Sequence, residues 1–202
     1  MGGIVTSSAY LGWSGARKRR IDELFSVHAS VGGTGPGRRW QTSQLNWSIT
    51  LRLAGEFQGF ARDLHDEASD ALCDPISKTD PGLSVVLRSG LSRARKLDKG
   101  NAQPAALGND FSYLGLSLWP ALKRANIKAA KWNDDLESLN IARNAIAHDD
   151  QDEFLKLQQR NIYPITLTVI KRWSRALDGL AVAMDAVVGD YLAGFLGGQR
   201  PW

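Results

Sequence analysis

The chain reads as an all-α protein, a bundle of long antiparallel helices with short flanking helices. Two apolar stripes at helical spacing argue for it, one from Leu45 to Leu72 and one from Ile165 to Tyr191. No segment alternates polar and apolar residues for long enough to predict a strand. No glycine occurs between Gly115 and Gly179, where the backbone is expected to be most committed to rigid helix.

Taken in order, glycines crowd the first 37 residues and end in Val31-Gly32-Gly33-Thr34-Gly35-Pro36-Gly37. That run reads as a connector. A phosphate-binding loop would need a lysine and a hydroxyl after the glycines and an apolar strand before them. Ahead of it, Arg17 to Val31 places Ile21, Leu24, Phe25 and His28 at three- and four-residue spacings, predicting a short helix. Its basic first turn, Arg17-Lys18-Arg19-Arg20, reads as a solvated face or arm, with nucleic-acid contact or targeting as the minor reading.

Thr42 to Leu72 predicts a long amphipathic helix with Leu45, Ile49, Leu53, Phe57, Ala61, Leu64, Ala68 and Leu72 inside and Arg52, Glu56, Arg62, Asp66 and Asp70 outside. Asp74-Pro75 should stop it. A second basic helix is expected from Leu83 to Lys99, with Val86, Leu87, Gly90, Leu91 and Ala94 on one face. A loop should come next, from Gly100 to Gly108. Phe111 to Ala130 is expected to be helical and interrupted at Trp119-Pro120. Trp132 to Asp150 predicts a helix opened by Asn133, and Tyr163-Pro164 should begin the last one. The chain thus divides into an N-terminal helix with its connector (1–37), a helical bundle (38–196) and a tail (197–202).

At 202 residues and 43% apolar, the chain can enclose a core without disulfide or metal help, and its one cysteine, Cys73, forms no bridge within the chain. No secretory or membrane-spanning segment is evident, so a cytoplasmic protein with no membrane partner is expected. The net charge of +4 leans toward anionic partners.

One segment carries chemistry. In WNDDLESLNIARNAIAHDD (132–150) the apolar line Trp132, Leu136, Leu139 continues through Arg143 to Ile146. An arginine there either snorkels to an edge, pairs with a buried acid, or lines a groove formed with another helix or subunit. Asn140, Asn144 and His148 form a second row at four-residue spacing. On an ideal helix His148 lies about 140° from Arg143, so the two converge poorly within one chain and a second copy would supply the proximity.

Arg143-Asn144-Ala145-Ile146-Ala147-His148 resembles the R-polar-x3-H signature of the HEPN superfamily of all-helical ribonucleases and nucleotide-binding proteins, nearest to its RiboL-PSP-like or MAE-type members. The resemblance is strongest over 132–150 and is supported by the long helix LNWSITLRLAGEFQGFARDLHDEA. It implies a homodimeric bundle in which two copies of the motif face each other across a cleft and cut RNA without metal or cofactor. Arg143, Asn144 and His148 are the catalytic positions it carries over. Asp149 departs from the pattern, since many relatives have glycine there.

Such cleavage uses the ribose 2′-hydroxyl against the adjacent phosphate, leaving a 2′,3′-cyclic phosphate and a 5′-hydroxyl. It needs a proton carrier near neutrality, which His148 can be, and a fixed cation for the growing negative charge. Arg143 offers a planar fork of donors for phosphate oxygens, and Asn144 can orient either neighbour. A toxin or phage-defence setting with a paired antitoxin or partner defence protein is implied. The alternative is a non-catalytic module of the same type that binds a nucleotide, RNA or a protein.

Lys123, Arg124, Lys128, Lys131, Lys171, Arg172 and Arg175 are expected to form an RNA-binding track flanking the motif helix. Glu56 is a candidate partner for Arg143, against simple solvation. His28 and His65 read as packing histidines, Cys73 as inert, and Arg62 to Glu67 as an ion-paired surface rather than a metal site. Trp132 and Trp173 read as core anchors, and Trp47 as a dimer contact or part of a broad buried face.

Overall fold

The computed structural model describes residues 5–31, 39–93 and 95–202, with side chains left aside at 39–41. The glycine-rich connector therefore lies outside the described residues, as do Arg38, Ala94 and the side chain of Trp40. Among the described residues there is no strand, and the all-α expectation holds.

The axis of the fold is α3 (Arg39–Ser77), which at 1.5 Å per residue spans about 58 Å. Ile49, Leu53, Phe57, Ala61, Leu64 and Ala68 are buried along it as their spacing predicts, and Phe60 widens the face. The helix runs through Pro75 instead of stopping before it. Pro75 is two residues from the end, so its missing N–H costs a single ladder bond.

Before α3 lie α1 (Ser8–Gly12), a π-helical turn (Trp13–Arg17) and α2 (Lys18–Val31). Trp13 is fully buried and meets Phe57 edge-on at 5.7 Å and Phe60 at 5.8 Å, so the first segment shares the main core. Its basic turn is not a free arm. Arg17 and Arg20 pair with Glu56, while Lys18 pairs with Asp178.

After α3, α4 (Pro81–Arg93) is shorter than expected and gives way to a 3₁₀ turn (Lys96–Asp98). Its packing also differs from the predicted face: Val86, Leu87 and Gly90 are exposed while Ser84 is buried against the Cys73 carbonyl. The segment expected as a loop from Gly100 to Gly108 becomes helical at Pro104, which opens α5 (Pro104–Tyr113) at a position where its absent N–H is no loss. The helical break falls at 114–117, ahead of Trp119-Pro120, and α6 (Leu118–Ala125) takes Pro120 in its first turn.

α7 (Ala129–His148), α8 (Gln151–Gln159) and α9 (Leu167–Ala193) complete the bundle. α9 starts after the Thr166 cap, later than Tyr163-Pro164. It runs parallel to α3, not antiparallel as expected of the two long helices, because the intervening segments return the chain to the start of α3: Asn46 bonds the Ile165 carbonyl at one end and Ser7, beside Glu67, bonds Asp185 at the other. α7 runs antiparallel to α9: Trp132 packs on Gly179, while Asp135 meets Arg172. Trp173 is fully buried and Trp132 half-buried. The tail folds back, burying Trp202 on Gly189. No helix of the described residues is long and apolar enough to cross a membrane.

Candidate functional site

α7 positions all three motif side chains. It begins at Ala129, after Asn126 has accepted the Lys128 N–H, so Asn133 lies inside the helix rather than capping it. Leu136, Leu139, Ala142 and Ala145 are buried and fix its rotation. That rotation leaves Arg143 and Asn144 half-buried at the edge and His148 exposed on the last turn.

The Arg143 guanidinium donates to the Asn144 amide oxygen at 3.2 Å, and among the described residues no carboxylate pairs with it. The same oxygen accepts from the Asn101 amide at 2.5 Å. Because arginine only donates, this contact dictates which end of the Asn144 amide faces it. One turn back, buried Asn140 gives its amide protons to the carbonyls of Ala102 and Leu136.

His148 does not share this network. It is displaced from Arg143 by about 7.5 Å along the helix and about 140° around it. Within one chain the structure thus brings Arg143 and Asn144 together and leaves His148 apart. Asp149 ends the helix in the left-handed conformation, at φ 50° and ψ 41°, the geometry in which glycine is unstrained. Asp150 then caps α8 by accepting the N–H groups of Asp152 and Glu153.

Beside Asn144, a groove of about 620 Å³ opens between the start of α5 and the facing sides of α7 and α8. Asn140, Asn144, Glu137, Glu153, Lys156 and Arg160 line it. Its charges are closed in pairs: Glu137 with Arg160 at 2.9 Å, and Glu153 with Lys156.

The basic residues fall away from the His148 end of the motif helix. Lys123 and Arg124 are exposed on the last turn of α6, and Lys128 is exposed just before α7. Lys128 is therefore about 30 Å from His148 along the axis, and Lys131 about 18 Å from Arg143. Lys131 bonds buried Asp135 at 2.8 Å, and Arg172 lies 3.2 Å from the same carboxylate, within ion-pair distance though not aligned for a hydrogen bond. Lys171 is exposed with its ammonium 5.9 Å from the centre of the Phe25 ring, and Arg175 bonds the Lys171 carbonyl. The track flanks the first half of α7, and the charges of Lys131 and Arg172 are already met.

Glu56 is neither solvated nor a partner of Arg143. It is buried and held by Arg17, Arg20 and Arg52 at 2.9, 2.5 and 2.8 Å. Burial alone would raise its pKa, but the hydrogen bonds of Arg20 and Arg17 and the Arg52 charge outweigh that and lower it.

His65 is fully buried, and burial together with the Arg95 charge lowers its pKa. Its neutral ring donates from Nε2 to the Asp110 carbonyl at 3.2 Å and faces Arg95 with Nδ1 at 3.5 Å. His28 is also buried. Burial raises the Cys73 thiol, which keeps it protonated. Trp47 packs on Phe154 of the same chain, with ring centres 5.8 Å apart. Among the described residues, no group of three or more His, Cys, Asp or Glu side chains is arranged to hold a metal ion.

Asn101 and Arg160 escaped the sequence reading. Their separations from the groups they touch, 43 and 22 residues, leave no local periodicity to reveal them. Compared with protein-family models, curated proteins and solved structures, the chain matches none.

Proposed function

We propose that the chain is a metal-independent endoribonuclease of HEPN type that works as a homodimer, cutting RNA by 2′-hydroxyl attack to leave a 2′,3′-cyclic phosphate. Its setting is a toxin or phage-defence system with a paired antitoxin or partner protein. The observation that carries this reading is Arg143, a half-buried guanidinium oriented by Asn144 and lacking a carboxylate among the described residues. Partly desolvating a permanent cation is costly unless an anion meets it, and a phosphate fits its planar fork. His148 is exposed, so a second protomer can bring its own His148 to the phosphate held by the first. The imidazole takes the 2′-hydroxyl proton or supplies one to the leaving 5′-oxygen, while Arg143 neutralises the phosphorane.

A composite site makes a direct test possible. Arg143→Ala and His148→Ala proteins are each inactive, but mixing and re-annealing them gives heterodimers that contain one intact site. Equal mixing restores about a quarter of wild-type cleavage, because half the dimers are mixed and each has one site of two. Activity that stays absent in a verified heterodimer contradicts the shared site. Wild-type protein that binds RNA without cutting it favours the non-catalytic module instead.

A further inference from the structure

We infer that the groove between α5, α7 and α8 is a nucleobase site, taking from single-stranded RNA one base that carries an exocyclic amino group. Its position beside the cleaved phosphate rests on the nuclease reading of Arg143. The size is appropriate, since about 620 Å³ holds a nucleoside with room for ordered water. The electrostatics select against a phosphate in the groove itself. Glu137 neutralises Arg160, and Glu153 neutralises Lys156, so a neutral polar ring fits better than an anion.

Hydrogen bonding narrows the choice. Asn140 has spent both amide protons on Ala102 and Leu136, so the group it can offer is its carbonyl oxygen. Asn144 has its oxygen occupied by Arg143 and Asn101, so it offers its amide protons. The two residues sit four apart on one helix face, within about 6 Å at Cβ, and present a fixed acceptor beside a fixed donor. Such a pair matches the edge of a base. The remaining lining groups tilt the preference, because the carboxylates of Glu137 and Glu153 add acceptors that reward an exocyclic amino group. Adenine, cytosine and guanine have one; uracil has carbonyl oxygens on both sides of its single ring N–H. Asn144 couples the two events, since the side chain that reads the base also orients the guanidinium that meets the phosphate.

The test uses the full-length His148→Ala protein, which leaves RNA intact, titrated calorimetrically with AMP, CMP, GMP and UMP and with A6, C6 and U6 oligonucleotides. At least one amino-bearing nucleotide is expected to bind about tenfold more tightly than UMP. Its oligonucleotide should bind more tightly still. Glu137→Gln reduces the discrimination, and Asn140→Ser weakens the binding of every base; thermal melts of both variants verify that they are folded. UMP binding as tightly as the rest, discrimination undiminished in Glu137→Gln, or binding unchanged in Asn140→Ser overturns the proposal. A monophosphate that binds as well as its oligonucleotide overturns the RNA assignment in favour of a free nucleotide. The nuclease reading fails separately: wild-type cleavage without base preference overturns the groove alone, whereas base-selective binding with no cleavage upholds the base site and removes the nuclease.

Discussion

The Arg143 guanidinium is oriented by the next residue in the chain: it donates to the Asn144 amide oxygen at 3.2 Å, and Asn101 holds that oxygen from the other side at 2.5 Å. Two amides therefore fix the direction of a cation without neutralising it. That arrangement leaves the positive charge standing, where a carboxylate partner would have cancelled it.

Arg143→Ala is accordingly expected to cost little stability. Removing one member of a buried ion pair typically costs about 3–5 kcal/mol, but no such pair exists here among the described residues. Urea unfolding is expected to show a loss within about 1 kcal/mol, with cleavage abolished. A loss of about 3 kcal/mol or more would assign Arg143 a structural role.

Glu56 should behave in the opposite way. Glu56→Gln leaves Arg17, Arg20 and Arg52 crowded around a neutral amide. Because these arginines reach solvent, the cost is discounted to about 2–3 kcal/mol. The lowered pKa sets the pH dependence. The folded state holds the Glu56 proton less tightly than the unfolded chain, so its stabilisation is present above the ordinary glutamate value of 4.5 and is lost as pH falls through the lowered one. Unfolding curves taken from about pH 6 to about pH 3 should show a shallower decline in Glu56→Gln than in wild type.

Asp149→Gly tests the backbone at the end of the motif helix. A non-glycine residue at φ 50° carries strain that glycine relieves, although aspartate tolerates this region better than most. The substitution is expected to stabilise the protein by about 0.5–1 kcal/mol in chemical denaturation, less the entropy that glycine adds to the unfolded chain. A clear destabilisation would mean that the Asp149 side chain makes a contact worth more than the strain.

Long helices were the most legible part of the sequence. In α3 and α9 an apolar face repeats over many turns, so single exceptions do not obscure the period. α4 misled because Val86, Leu87 and Gly90 of its expected inner face are exposed, while its buried contact is made by Ser84. Pro104 sits among loop-like residues yet opens a helix, a role set by the helix-forming residues after it.

The site was legible in its local half. Arg143, Asn144 and His148 stand out as candidates through a motif on one helix, and Asn140 through the row that Asn144 and His148 continue. The grip of Arg17 and Arg20 on Glu56 and the Asn101 contact join residues 36 or more apart, and only the folded chain brings them together. The same is true of the groove, whose facing wall comes from α8.

The nuclease reading is put at risk most simply by incubating purified wild-type and His148→Ala proteins with end-labelled single-stranded RNA and a tRNA pool in EDTA, then analysing the fragment ends. His148 is exposed, so its replacement leaves the fold intact, which a thermal melt verifies. Wild type is expected to give 2′,3′-cyclic phosphate and 5′-hydroxyl ends, and His148→Ala none. Folded, dimeric wild-type protein that leaves both RNAs uncut, or equal cleavage by the variant, would overturn the assignment.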